Sequence, residues 1–512
     1  MYLLDFTAIH GMFETFNELV DSHWMKKRVG VNYPCSSQTI NSLNDLFQNS
    51  CKYSPQTMEP CLRFRTSHLI QTISAILILG VAECTVKLSS TLQYPAINCR
   101  KHSAVLTEFG AVGDGKTSNT KAFKAAIDSL SKHASDGGAQ LIVPPGKWLT
   151  GSFHLTSHFT LFLHKDALLL GSTDESEFPR LPPLPSYGTT IGRFTSLIFG
   201  TNLTDVIITG NNGTIDGQGA TWWTKYPIYS RFEHASSIKF ISNAQMIIVS
   251  YSCGSDCSDI LIQGLTILAP IDSPNTHGIQ PDSCTNTRIE DCFIEPGDDC
   301  VFVKSGYDQY GIRFGMPSKQ LVIRRLTCVS PDNAIISLGS EMSGGIQDVR
   351  IEDITAFNME AGLRIKTAIG RGGFVKDIYV RRLTMKTTKY VFWISGDYNK
   401  HPDNGFDPKA LPEIHGINYR DVVAENVNVS AKFDGITNDV FTGICLSNVN
   451  ITLSQTPKAL QWNCTNIAGV SSNVTPKPCN LLPEQKGVVC HFPEDKLPIE
   501  HVQLKACFAT TA

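Results

Sequence analysis

Ile289-Glu-Asp-Cys-Phe-Ile, Ile323-Arg-Arg-Leu-Thr-Cys, Ile351-Glu-Asp-Ile-Thr-Ala and Val380-Arg-Arg-Leu-Thr-Met are four versions of one phrase. An apolar residue precedes two polar ones, followed by an apolar residue, a variable one and often another apolar one. The phrase also reads as Ile262-Gln-Gly-Leu-Thr-Ile upstream, and as Tyr419-Arg-Asp-Val-Val-Ala and Leu446-Ser-Asn-Val-Asn-Ile downstream. Successive copies start 27 to 39 residues apart, a period at which repeats stack into solenoids. Each copy holds β-branched residues in short runs bounded by Gly, Asn, Asp and Pro, so each unit is a strand, a turn and a strand. One unit cannot bury its apolar face alone, whereas stacked coils bury a continuous ladder of Ile, Leu and Val. The spacing therefore predicts an all-β chain wound as a right-handed, single-stranded parallel β-helix. A β-sandwich, the competing architecture, expects strands roughly every 8–12 residues and has no reason to keep one phrase per coil.

Composition agrees with one long solenoid. Of 512 residues, 42% are hydrophobic and 18% charged, which supplies an ample core and excludes disorder over most of the chain. The net charge of −3 leaves no basic excess for a nucleic-acid partner. One amphipathic stretch, Ser118 to Leu130, places Ala122, Phe123, Ala126, Ile127 and Leu130 on a single stripe. Lying just before the repeats, it is expected to cap the open end of the solenoid. Immediately upstream, Gly110-Ala-Val-Gly-Asp-Gly-Lys-Thr satisfies the phosphate-binding P-loop pattern literally. The alternating strands and helices such a loop requires do not follow. A nucleotide-binding protein is accordingly the remote alternative, and no nucleotide is expected as a partner.

The apolar run from Leu69 to Ala82, preceded by Arg63 and Arg65, has the length of a signal-peptide core. It is shorter than the about 20 residues that span a membrane. Residues 1–57 are read as an upstream extension with translation starting at Met58, residues 58–84 as a signal peptide, and residues 99–512 as the β-helix domain. The expected destination is outside the cell, at the cell wall, with no stable membrane insertion after cleavage. Sequons at Asn202, Asn212, Asn428, Asn450, Asn463 and Asn473 point the same way. The last four crowd beside Cys445, Cys464, Cys479, Cys490 and Cys507, which predicts a disulfide-bonded, glycosylated tail whose connectivity the sequence leaves open.

The chemistry concentrates in four consecutive units: Asn275-Thr-His-Gly-Ile, Gly297-Asp-Asp-Cys, Ile336-Ser-Leu-Gly-Ser-Glu and Arg364-Ile-Lys-Thr. Residues one coil apart in a solenoid stand about 4.8 Å from each other. Asn275, His277, Asp298, Asp299, Arg364 and Lys366 could therefore share one surface strip. Paired acids beside fixed cations suit hydrolysis of an anionic sugar, one carboxyl donating to the glycosidic oxygen and the other activating water. Arg364 and Lys366 would hold the sugar's carboxylate. Taken singly, the aspartates could form a turn and the two cations could be solvated strand residues; the ordered set argues otherwise.

With Phe109-Gly-Ala-Val-Gly-Asp-Gly, Pro144-Pro-Gly-Lys-Trp-Leu-Thr-Gly-Ser, Gly213-Thr-Ile-Asp-Gly-Gln-Gly-Ala-Thr-Trp-Trp and Gly339-Ser-Glu-Met-Ser-Gly-Gly, the same residues give a family likeness. From about Ser103 onward the chain resembles plant polygalacturonase-like proteins of glycoside hydrolase family 28. The resemblance implies a secreted, metal-independent enzyme that hydrolyses α-1,4-galacturonosyl links of pectin, or polygalacturonate, with inversion; a monomer without a cofactor is expected. It makes Asp298 the general acid, Asp299 one of the water-activating carboxylates, and Asn275, Arg364 and Lys366 substrate-binding residues.

Three departures qualify it. His277 stands where the family has a third catalytic Asp, which makes a weakly catalytic or inactive pectin-binding protein the alternative. The family's Gly-His-Gly before Ser337 is replaced by Asn333-Ala-Ile. Thr224 to Asp259 loses the resemblance and reads short by part of a coil. Asp282 is a poor substitute for the missing Asp, being five residues along a strand. The segment Ser305 to Ser318, with Tyr307, Tyr310, Arg313 and Phe314, reads equally as a sugar-stacking loop and as a packed one.

Overall fold

The computed structural model describes residues 100–503 apart from 183, 189–192, 201–202, 204, 211–212, 226–256 and 456–460. The expected leader and signal segment, the sequons at Asn202 and Asn212, Cys507, and most of Thr224 to Asp259 lie outside the described residues.

Successive coils pair in parallel, as the repeat predicts. In the main sheet of 13 strands the order follows the chain, from Cys257–Gln263 through Cys284–Glu290, Ser318–Arg324, Ile346–Lys366, Phe374–Ser395, Glu413–Asp434 and Phe441–Leu453 to Ile467–Thr475. The first residues of the phrase copies stack in register: Ile262 on Ile289, then Ile323, Ile351, Val380, Tyr419 and Leu446. All seven are buried in one continuous core. The fold is thus a right-handed parallel β-helix, and among the described strands only the short pair Arg180–Leu181 and Arg193–Phe194 runs antiparallel.

The polar positions of the phrase have a structural reason. Its third residue is the corner of each coil and takes the left-handed conformation, with φ of +69° at Gly264, +57° at Asp291, +52° at Arg325, +57° at Asp353, +54° at Arg382, +58° at Asp421 and +53° at Asn448. Gly, Asp and Asn tolerate that conformation, but Arg does so at a cost. In the arginine coils the guanidinium meets the aspartate of the coil before: Arg325 Nε lies 2.7 Å from Asp291 Oδ1, and Arg382 Nε 2.5 Å from Asp353 Oδ1. The second position alternates likewise through Glu290, Arg324, Glu352 and Arg381, with Arg324 Nε 2.7 Å from Glu290 Oε2. Parallel stacking places like positions side by side, and over these four coils the alternation in sign avoids a column of like charges; the next coil breaks it, with Arg420 in register with Arg381.

The capping helix runs Thr120–Ser131, two residues later than the expected start, and buries the five predicted stripe residues. They join Leu141, Phe153 and Leu161 in a separate amino-terminal core, where the rings of Phe123 and Phe153 stack at 4.5 Å. Two seven-residue helices that periodicity did not show, Gly219–Lys225 and Asp308–Phe314, complete the α-helices among the described residues. In the P-loop look-alike, the amides of Lys116 and Thr117 both donate to Asp114 Oδ1 at 2.8 Å. The backbone donors a phosphate would need are engaged by the loop's own carboxylate, and those bonds hold Asp114 at about 2.

The tail is cross-linked by Cys445–Cys490 and Cys464–Cys479, and a third disulfide, Cys300–Cys328, ties two core coils together. No helix among the described residues is long and apolar enough to cross a membrane.

Candidate active site

Two glycines let the coils of the site touch. A Cβ on Gly278 would run into the carbonyl of Cys300, and one on Gly297 into the carbonyl of Ser273. Across this close approach Gly278 N–H donates to Asp299 O, and Asp298 N–H to Thr276 O, both at 3.0 Å. His277 is thereby held directly over Asp298 and Asp299. Arg364 and Lys366 come from the end of the strand Ile346–Lys366, one coil beyond Thr327–Leu338, where Arg364 pairs in register with Ser337.

The two aspartates occupy unlike environments. Asp299 is fully buried, and Asp298 keeps 21% of its side chain exposed. Asp299 Oδ2 lies 3.1 Å from Lys366 Nζ and 3.7 Å from His277 Nδ1, while Oδ1 accepts the Ala334 N–H at 2.9 Å. Burial pushes the Asp299 carboxyl up, but Lys366, His277, the Ala334 amide and Arg364 outweigh it and hold the group at about 2. Asp298 Oδ1 accepts the Asp299 N–H at 2.8 Å and lies 3.3 Å from His277 Nδ1. One ring nitrogen of His277 therefore faces both carboxylates.

Of the six expected residues, His277, Asp298, Asp299 and Lys366 form one contacting cluster. Arg364 stands beside it, its guanidinium stacked 3.7 Å above the Trp393 ring. Asn275 is half-buried with φ of +49° and makes no hydrogen bond to the pair. The Asn333-Ala-Ile stretch acts through its backbone and one amide: Ala334 N–H holds Asp299, and Asn333 Nδ2 donates to Gly297 O at 3.3 Å. Asp282 is bonded instead to the Tyr187 hydroxyl and to Ser283 Oγ.

The loop from Ser305 to Ser318 is a packed one. Tyr307 is buried with its hydroxyl donating to Lys400 O at 2.7 Å, Tyr310 donates to Asp403 at 2.7 Å, and buried Asp308 pairs with Arg371.

Donor atoms of His277, Asp298 and Asp299 lie within 4.8 Å of one another, a spacing a metal ion could use. The Lys366 ammonium, 3.1 Å from Asp299, already supplies the positive charge there. A divalent ion would have to sit against it.

Sequence reasoning missed Phe302, Trp393 and Tyr398. Phe302 is flanked by the ammonium groups of Lys304 and Lys366, each 4.3 Å from its centroid, and by the His277 ring at 4.5 Å. Tyr398 lies 5.9 Å from the Arg364 guanidinium and 5.8 Å from Lys366. The signal for Trp393 was the period itself, since adding the step from Ile351 to Val380 to Arg364 lands on Trp393.

A second buried pair lies beside the site, Lys304 Nζ to Glu341 Oε1 at 2.7 Å. Burial pushes Glu341 up, while Lys304 and then Lys366 hold it at about 2. Asp299 and Glu341 thus both titrate below their ordinary values of 3.8 and 4.5. Groups depressed on folding add stability that is fully present above the unfolded value and is lost as pH falls through the folded one. The urea midpoint is therefore expected to fall between about pH 4.5 and pH 2. A midpoint level across that window would contradict the two locked carboxylates.

Residues 171–475 match the model of glycosyl hydrolases family 28. A chain named "Probable polygalacturonase" from Vitis vinifera is 57% identical over 478 residues, covering 88% of this chain and 96% of the relative. A probable polygalacturonase of Arabidopsis thaliana is 26% identical, covering 72% and 79%. The solved exopolygalacturonase of Thermotoga maritima superposes with a TM-score of 0.58 at 23% identity, covering 76% of this chain and 93% of that one. The repeat, the β-helix, the cation-flanked aspartate pair and these likenesses agree, and the chain belongs to glycosyl hydrolases family 28, the pectin-degrading glycosidases that its polygalacturonase relatives represent.

Proposed function

We propose that the protein hydrolyses α-1,4-galacturonosyl links of pectin, outside the cell and as a monomer, with Asp298 as general acid. The observation that carries this reading is the asymmetry of the pair: Asp298 is open to the cleft, and Asp299 is buried and locked to Lys366. A proton donor must reach the glycosidic oxygen, and of the two aspartates the partly exposed Asp298 suits that role better. Asp299 stays ionised and orients the attacking water, while Arg364 and Lys366 oppose the charge of the uronate. Reducing-end release from polygalacturonate by the purified protein tests the reaction; amino-terminal sequencing of secreted material tests the compartment, and retention of Cys35 or Cys51 would contradict the processing expected there.

Inversion is part of the proposal, and the geometry makes its test informative. The nearest donor oxygens of the pair lie within 4.8 Å, closer than the roughly 6.5–9.5 Å common between the carboxyl groups of inverting pairs. Water must therefore enter beside the pair rather than between its members. Proton NMR during early turnover should show the β-anomer as first product; an α-anomer would overturn inversion.

A second reading, a pectin-binding protein of little or no activity, is favoured by one contact. His277 Nδ1 lies 3.3 Å from Asp298 Oδ1 and 3.7 Å from Asp299 Oδ2, so an imidazole stands against the pair where the family resemblance expects a third carboxylate.

A further inference from the structure

We infer that Trp393 and Lys432 form an additional carboxylate-binding subsite that extends the acidic-sugar site three coils beyond Ser337. The inference rests on the uronan substrate proposed above and names where the next part of that polymer is held.

The register defines the surface. Phe302, Ser337, Arg364, Trp393, Lys432 and Asn463 are successive partners on adjacent strands. Leu363 and Ile365, Phe392 and Ile394, and Ala431 and Phe433 are buried in the core, so strand alternation turns Arg364, Trp393 and Lys432 outward on the face of the aspartate pair. One coil separates each residue from the next, which sets Arg364 and Lys432 about 9.5 Å apart along the axis with the indole between them.

The charges along this column are loosely paired. Arg364 lies 3.7 Å from Glu360, and Lys432 lies 3.3 Å from Asp434, both longer than the about 2.8 Å of a tight charged hydrogen bond. Both cations also lie over the Trp393 ring, the guanidinium at 3.7 Å and the ammonium at 5.5 Å from its centroid. The indole thus packs against both cations and spaces them for the carboxylates of successive acidic sugars.

The neighbouring outward column runs Lys366, Ser395, Asp434 and Thr465, and turns acidic where the first is basic. One coil beyond Lys432, neutral Asn463 replaces the charge and the strip ends.

The test measures calorimetric binding of oligogalacturonides in an Asp298→Asn background, which removes turnover. Lys432→Gln is expected to weaken binding of a hexamer about tenfold, the value of one charged contact, and to leave a dimer unchanged. Trp393→Ala should show the same length dependence, and a fully methyl-esterified hexamer should not distinguish Lys432→Gln from its parent. Lys432 is partly exposed and its replacement similar in length, so this variant keeps the test valid if Trp393→Ala fails to fold. A parent that binds polygalacturonate, with Lys432→Gln unchanged at every length, overturns the subsite alone. A parent that binds no polygalacturonate overturns the uronan reading and the subsite with it.

Discussion

Replacing Asp298 with Asn is expected to lower the release of reducing ends from polygalacturonate by about 10²–10⁴-fold, the usual contribution of a positioned general acid. Asn keeps the shape and can still accept the Asp299 N–H, but it has no acidic proton to give. Asp299 cannot substitute, because it is fully buried and held ionised by Lys366 and the Ala334 amide. The loss should fall on kcat, with polygalacturonate binding retained through Arg364 and Lys366. Activity equal to the parent would remove Asp298 from the acid role.

Replacing His277 with Asp is expected to raise that same rate by about tenfold or more, toward the range attributed to general bases. The imidazole now sits over both aspartates and, 4.5 Å from the Phe302 ring, fills the place from which water would be deprotonated. A carboxylate there would exchange an imidazole for a group that accepts a proton from water. Its charge would lie close to two aspartates, a cost offset by Lys366 and Arg364, which already act on Asp299. A rate that stays level or falls would show that His277 belongs to the working site. An inactive parent that the His277→Asp change makes active would establish the binding-protein reading for the natural chain.

Much of the fold was legible because a solenoid writes its cross-section into the sequence once per coil. The stacked Ile289, Ile323 and Ile351 and the five-residue stripe of the capping helix follow from periodicity, which is a local property. The alternation of Glu-Asp coils with Arg-Arg coils was equally visible, but its meaning depends on parallel stacking and emerged only with the register. The helix Asp308–Phe314 was hidden because seven residues hold less than two full periods of an amphipathic pattern. The loop containing it was ambiguous for another reason: aromatic residues serve sugar stacking and packing alike, and only the contacts of Tyr307 and Tyr310 separate the two.

By itself the sequence determined the coil period, the parallel β-helix, and the set of acids and cations gathered on consecutive coils. The tertiary structure alone decided which aspartate keeps an exposed surface, which cation neutralises the other, and which cysteines pair. Coil lengths vary from 27 to 39 residues, so the pairing register, and not the period alone, sets which outward residues stand beside one another on adjacent coils. Adjacent residues such as Asp298 and Asp299 have the same chemistry until packing buries one of them beside Lys366 and leaves the other in water.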